Sequence, residues 1–356
     1  MMPAQLAPAV EAPLPLSGTG RRPFQHLHAA HCESGVTAAL LSNGGLAIDE
    51  PMVFGIGSGI FFFHAPFIKV MGIPLTSYRT YPFTIFRKTC RRLGVRYRSR
   101  RFFSRSGGEA ALHELVDQGI PVGLQANMFW LSYFPREFRF QFNGHNLLVV
   151  GRSGSDYMVS DPVLEAPVTC PAASLTRARF ARGPLSPRGL LYYPVSFPEA
   201  PDMAGTIRTA IRDSCRAMLR TPVPFAGVRG IRYLGRQVRR WPETLRSPDR
   251  SRLYLANIVR MQEEVGTGGG GFRFMYAAFL QKAGELLRHE PLKRASEMMT
   301  EAGDAWRRFA EAAALVVKER HEGRVTFDSL ADMLDGIAER ERQVFGYLAA
   351  HLPDRA

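Results

Sequence analysis

Three residues of this chain have the types needed for acyl chemistry: Cys32, His145 and Asp161. Cys32 stands in Ala30-His31-Cys32-Glu33-Ser34-Gly35-Val36, where a segment that reads as an apolar helix begins; it runs to the Asn43-Gly44-Gly45 turn. A thiol at a helix start meets unsatisfied backbone N–H groups and the positive end of the helix dipole, which favour thiolate over thiol. The same position also suits a cysteine that merely fills the core. Two β-rich runs, Asn143 to Val150 and Tyr157 to Asp161, flank a Gly/Ser turn and read as a hairpin. With that turn centred near Ser153 and Gly154, a symmetric register sets His145 directly opposite Asp161, close enough for a carboxylate to hold an imidazole. A thiolate that attacks an acyl carbon, a histidine that carries protons and an acid that fixes its tautomer make up a nucleophilic site. His26, His28 and His31 crowd the cysteine in sequence, but none has an acid so placed across a strand. A histidine–aspartate pair also occurs as a purely structural contact.

The elements that must position these groups read as α+β up to residue 200. Ile60 to His64, Ile68 to Met71, Arg96 to Phe103 and Pro121 to Trp130 have strand character, and Pro82 to Leu93 has helical character. Ser106 is expected to cap a helix through Gln118, with Glu109 completing a capping box. Near Pro198-Glu199-Ala200-Pro201 the texture changes to amphipathic helices, as in Phe274-Met275-Ala278-Phe279-Ala283 and Leu330-Met333-Leu334-Ile337. The expected organisation is a disordered leader over 1–22, a catalytic domain over 23–200 and an all-α domain over 201–356. The 356 residues, 46% hydrophobic and 22% charged, supply ample core for this. Four scattered cysteines, Cys32, Cys90, Cys170 and Cys215, argue against a disulfide framework and fit a reducing cytoplasm; no ligand spacing points to a metal. The longest apolar run, Met52 to Phe63, is too short to span a bilayer.

The formal charge of +14 is concentrated, because no acidic residue occurs between Glu50 and Glu109 while Arg87, Lys88, Arg91, Arg92, Arg96, Arg98, Arg100 and Arg101 all fall there. Such a face attracts anionic partners. No nucleic-acid motif accompanies it, so nucleic acid is not expected; an acidic protein fits as well as a plainly solvated surface does. Gly55-Ile56-Gly57-Ser58-Gly59 matches no nucleotide fingerprint and reads as a turn. Phe61-Phe62-Phe63 and Phe129-Trp130 suit either an acyl pocket or core packing.

Phe24 through Phe63, with the HCES start and the EPMVFGIGSG continuation, and the NGHNLLVVG…SDP hairpin together resemble the N-terminal family named after butirosin biosynthesis protein H. The second half, chiefly Glu263-Glu264-Val265-Gly266-Thr267-Gly268-Gly269-Gly270-Gly271-Phe272-Arg273, is similar to that family's helical companion domain. The resemblance implies a papain-like fold related to cysteine peptidases but used for acyl transfer in specialised metabolism. An acyl group would pass from a carrier-protein thioester to a small-molecule amine or hydroxyl. On this chain Cys32 would form the acyl-enzyme, His145 would deprotonate thiol and acceptor, and Asp161 would orient His145; only the resemblance brings Cys32 to His145. Gln25 or His26 would be the oxyanion donor, and Asn127 stands where an acid is expected. The donor would arrive on phosphopantetheine, with no cofactor bound by this chain itself, and the basic stretch would dock an acidic acyl carrier protein. Gly268, Gly269, Gly270 and Arg273 would either hold the phosphate of the arm or form a helix-start turn or domain contact. Two other readings remain: a cysteine hydrolase (peptidase, amidase or thioesterase) and a non-catalytic binding module.

Overall fold

The computed structural model describes residues 23–320 and 324–352; the expected leader, 1–22, lies outside the described residues. In chain order the elements are α1 (Cys32–Asn43), α2 (Glu50–Ile56), β1 (Ile60–Val70), β2 (Ile73–Arg79), α3 (Thr84–Arg92), β3 (Arg96–Arg100) and α4 (Arg105–Asp117). Then come β4 (Val122–Ala126), β5 (His145–Ser153), β6 (Asp156–Ser160), β7 (Val168–Cys170), α5 (Ala172–Arg179) and β8 (Leu191–Ser196). Six longer helices follow: α6 (Met203–Arg220), α7 (Gly227–Leu245), α8 (Pro248–Glu263), α9 (Arg273–Leu287), α10 (Glu290–Val317) and α11 (Phe327–His351). The fold is α+β followed by an all-α region.

Two compact units result, and both are discontinuous in sequence: Met1–Val53 with Cys90–Pro201, and Phe54–Thr89 with Asp202–Ala356. The change of texture near residue 200 coincides with one crossing, but residues 54–89, expected in the catalytic domain, group with the helices. The reason is aromatic packing. Phe62 of β1 and Tyr78 of β2 are fully buried and meet at 5.3 Å, and both lie against Trp306 of α10 at 5.8 and 5.2 Å. Each such pair contributes about 0.5–1.5 kcal/mol beyond its area. Phe62 is thus core rather than acyl pocket. β1 is one bulged strand rather than two short ones, antiparallel to β2.

The first unit holds a six-stranded antiparallel sheet in the order β3-β8-β4-β5-β6-β7. Alternate residues of its central strands, Leu124 and Ala126, Leu147 and Val149, and Tyr157 and Val159, join Leu112 and Val116 of α4 and Leu175 and Ala178 of α5 in one core. α1 packs against β5 with every residue from Cys32 to Leu41 buried, so it has no solvated polar face. Its end at Asn43 is where the sequence placed it. α4 is capped by Ser104, which accepts from the Gly107 N–H; the expected Ser106 box does not form because the cap lies two residues earlier and the helix starts at Arg105.

Candidate active site

All three chemistry-bearing residues lie in the first unit, and they converge. His145 Nε2 and Asp161 Oδ2 are 2.6 Å apart, with His145 4% and Asp161 0% exposed. The pairing is not the directly opposed one. β5 and β6 turn through Gly154 and Ser155, so Ser153 faces Asp156, and a bulge at Val150 then shifts the ladder to Val149 facing Val159 and Leu148 facing Ser160. Continued past the end of β6, this register sets Asp161 across from Leu147, and His145 reaches the acid on the diagonal, which remains within side-chain range on the same face.

Cys32 opens α1 behind His31, whose side chain accepts the Ser34 N–H as an N-cap. The thiol hydrogen-bonds the His145 imidazole. Since Nε2 is engaged by Asp161, Nδ1 is the ring nitrogen left to face sulfur. Burial alone would lower the His145 pKa; the charge and hydrogen bond of Asp161, and then those of Cys32, outweigh it and raise it to about 10. The imidazolium is therefore the favoured form of His145 near neutrality. The other cysteines differ: burial pushes Cys90, Cys170 and Cys215 each up to about 12, which leaves them inert.

Three supporting residues carried no signal at their sequence positions. Tyr133, in the long β4–β5 connection, donates to Asp161 Oδ2 at 2.7 Å, and burial first, then the Asp161 charge, holds its hydroxyl protonated well above the usual phenol range. Glu50, in the first turn of α2, accepts the Ala30 and His31 N–H groups at 2.9 and 2.8 Å and the Ser34 hydroxyl at 3.0 Å. Burial raises its pKa against the opposing effect of those bonds. The loop that delivers Cys32 is thus pinned by a half-buried carboxyl group. Asn146, next to His145, brings its amide to the thiol.

The two expected oxyanion donors are not at the thiol. Gln25 is exposed, and its backbone is tied to Asn43 at the far end of α1. Since α1 rises about 1.5 Å per residue, that is ~16 Å from Cys32 along the helix. His26 spends both ring nitrogens on the hairpin end, at Ser160 Oγ (2.8 Å) and Leu164 O (2.9 Å). Asn127 accepts from Phe129 N–H and donates to Asn143 Oδ1, an internal tie of the loop. Phe129 and Trp130 are 40% and 36% exposed.

The glycine-rich loop sits inside the second unit. Gly268, Gly269, Gly270 and Gly271 all have positive φ, and a Cβ on Gly271 would meet the Tyr78 ring at 2.4 Å, which explains the run of glycines. The Gly270 N–H is taken by the Glu263 carboxylate, and the fully buried Arg273 forks onto Glu341 at 2.8 and 2.9 Å and donates to Gly271 O. The phosphate expectation is corrected on this point: the groups a phosphate needs already hold internal acids, and the loop is a helix start. Among the described residues no group of three or more His, Cys, Asp or Glu is placed to hold a metal, and no helix is long and apolar enough to cross a membrane.

Of the basic residues, α3 carries Arg87, Lys88, Arg91 and Arg92, and β3, an edge strand, exposes Arg96, Arg98 and Arg100, followed by exposed Arg101. Arg96, Arg98 and Arg100 alternate with Tyr97 and Ser99 and share one face.

A thiol at the start of a buried helix, packed against an antiparallel sheet whose strand supplies the histidine, defines the class: a papain-like cysteine-enzyme domain. Residues 31–162 match the family model described as butirosin biosynthesis protein H, N-terminal. Residues 173–348 match a domain of unknown function, DUF4872. None of the curated proteins compared matches the chain. A crystal structure described as a C39-like peptidase from Bacillus anthracis is 15% identical, covering 49% of this chain and 94% of that chain, with a TM-score of 0.35.

Proposed function

We propose that this protein is an acyltransferase that takes an acyl group from a phosphopantetheine thioester on an acidic carrier protein and delivers it to an amine or hydroxyl of a small molecule. The observation that carries the nucleophilic part is the buried Asp161–His145 pair at 2.6 Å with the Cys32 thiol hydrogen-bonded to the same imidazole. In the proposed cycle the Cys32 thiolate attacks the thioester carbon, the carbonyl pair moves to oxygen and returns, and the carrier leaves as a thiol with the proton of the His145 imidazolium, which leaves that ring neutral. His145 then takes the proton of the acceptor as it attacks the Cys32 acyl-enzyme, and Asp161 holds the ring for both steps. The carrier as donor is supported by the family match and by the arginine edge of β3, which suits an acidic surface.

The test is covalent trapping. Incubation with an acyl-carrier thioester should give an intact-mass adduct on wild-type protein, absent from Cys32→Ala and discharged by added amine. Discharge by water alone at the same rate would make the protein a hydrolase, and no adduct with any donor would leave a binding module.

A further inference from the structure

Asn146 follows His145 on β5, so its side chain leaves the opposite face of the strand, yet its Nδ2 lies 3.9 Å from Cys32 Sγ. The residue is buried. Its amide is oriented from two sides. Nδ2 donates to Gly144 O at 3.1 Å; a carbonyl only accepts, so the NH2 side must face it. Oδ1 accepts from the Tyr192 hydroxyl at 2.8 Å. Tyr192 is itself fully buried and lies across Gly123, where an added Cβ would fall 2.4 Å from a ring carbon. Only glycine at position 123 leaves room for the ring that holds the amide.

An N–H directed at sulfur favours the charged form of the thiol, and the thiolate is the nucleophile. The other N–H of the same amide donates to Gly144 O, the carbonyl 4.0 Å from Sγ, which fixes the direction of the N–H that faces the sulfur. We propose that Asn146 is a catalytic residue whose amide N–H, aimed by Tyr192, donates to the Cys32 sulfur and holds it as thiolate. Tyr192 is then a positioning residue. This rests on Cys32 being the nucleophile of the proposed reaction.

The test reads the thiol without any acyl donor. The rate of Cys32 alkylation by iodoacetamide is measured against pH by intact mass, with Cys32→Ala to assign the site, for wild type, Asn146→Ala and Tyr192→Phe. The alkylation midpoint is expected to rise by about one pH unit in Asn146→Ala, the size of one hydrogen bond to a charged group, and by less, in the same direction, in Tyr192→Phe. An unchanged midpoint in folded Asn146→Ala overturns the proposal. Should that variant not fold, an unchanged midpoint in Tyr192→Phe overturns it instead. A raised midpoint in a protein that never forms an acyl adduct supports Asn146 while removing the acyltransferase reading; an adduct with unchanged midpoints does the reverse.

Discussion

At the scale of single residues, His145 is the group whose charge state governs the site. Its pKa is raised from 6.5 to about 10 despite burial, because Asp161 and then Cys32 favour the imidazolium. A group whose folded pKa lies above its unfolded value stabilises the fold fully below the unfolded pKa and loses that contribution as pH rises through the folded one. Wild-type stability in urea should therefore decline from about pH 6.5 to about pH 10, beyond what other titrations cause. Asp161→Asn removes the largest favourable influence and should flatten that decline; equal pH slopes in the two proteins would count against the pairing. The same substitution should lower acyl transfer by about 10³–10⁴-fold, the scale seen when such an acid no longer sets the tautomer of its histidine. The diagonal reach of His145 shows why residue types were readable while their pairing was not. The turn shifted onto Gly154 and Ser155 moves the pairing away from the symmetric one and the bulge at Val150 takes one residue back, and no pattern in the flanking strands encodes either.

At the scale of elements, the helix start and the hairpin end are locked together. The Ala29 N–H donates to Pro162 O at 2.7 Å, and a Cβ on Gly35 would lie 2.6 Å from Ala29 Cβ and 2.7 Å from Pro162 Cβ. Gly35 is within the first turn of the helix that Cys32 opens, and Pro162 is the neighbour of Asp161. Gly35→Ala, favourable in an ordinary helix interior by about 0.5–1 kcal/mol, should here be destabilising and should cut activity at least about tenfold, because a 1 Å displacement of a catalytic group is enough for that. Activity and urea midpoint measured on the same preparation check it. A more stable, fully active Gly35→Ala would mean that the contact yields. Glycine in the GV segment after HCES is visible in the sequence, but the partner that makes it necessary is 127 positions away.

At the scale of the whole molecule, the two units raise different questions. In the first, the exposed Arg96, Arg98 and Arg100 on edge strand β3 discourage pairing with other chains, and they also offer the docking field proposed for an acidic carrier. Reversing all three to Glu should raise the KM for carrier-bound donor severalfold while leaving alkylation of Cys32 unchanged, and the wild-type KM should rise with salt; an unchanged KM would remove the docking role. In the second, Arg273 and Glu341 form a fully buried pair, with Trp306 Nε1 also donating to Glu341. Glu341→Ala leaves an uncompensated guanidinium in the core and should cost about 3–5 kcal/mol of that unit's stability in urea. A loss below about 1 kcal/mol would show that water reaches Arg273.

The sequence by itself determined the α+β character with a helical second half, the hairpin that carries His145 and Asp161, and the span of α1 from Cys32 to Asn43. These are local matters: turn residues, strand and helix periodicity, and a helix stop written in consecutive positions. Only the tertiary structure decided that Cys32 meets His145 across 113 positions, that Glu50, Tyr133 and Asn146 support the site, that Gln25 and His26 do not, and that residues 54–89 pack with the helices. Each of those depends on which buried polar group finds which partner once the sheet closes against α1. That pairing is set by the mutual satisfaction of groups far apart in the chain, and no local pattern records it.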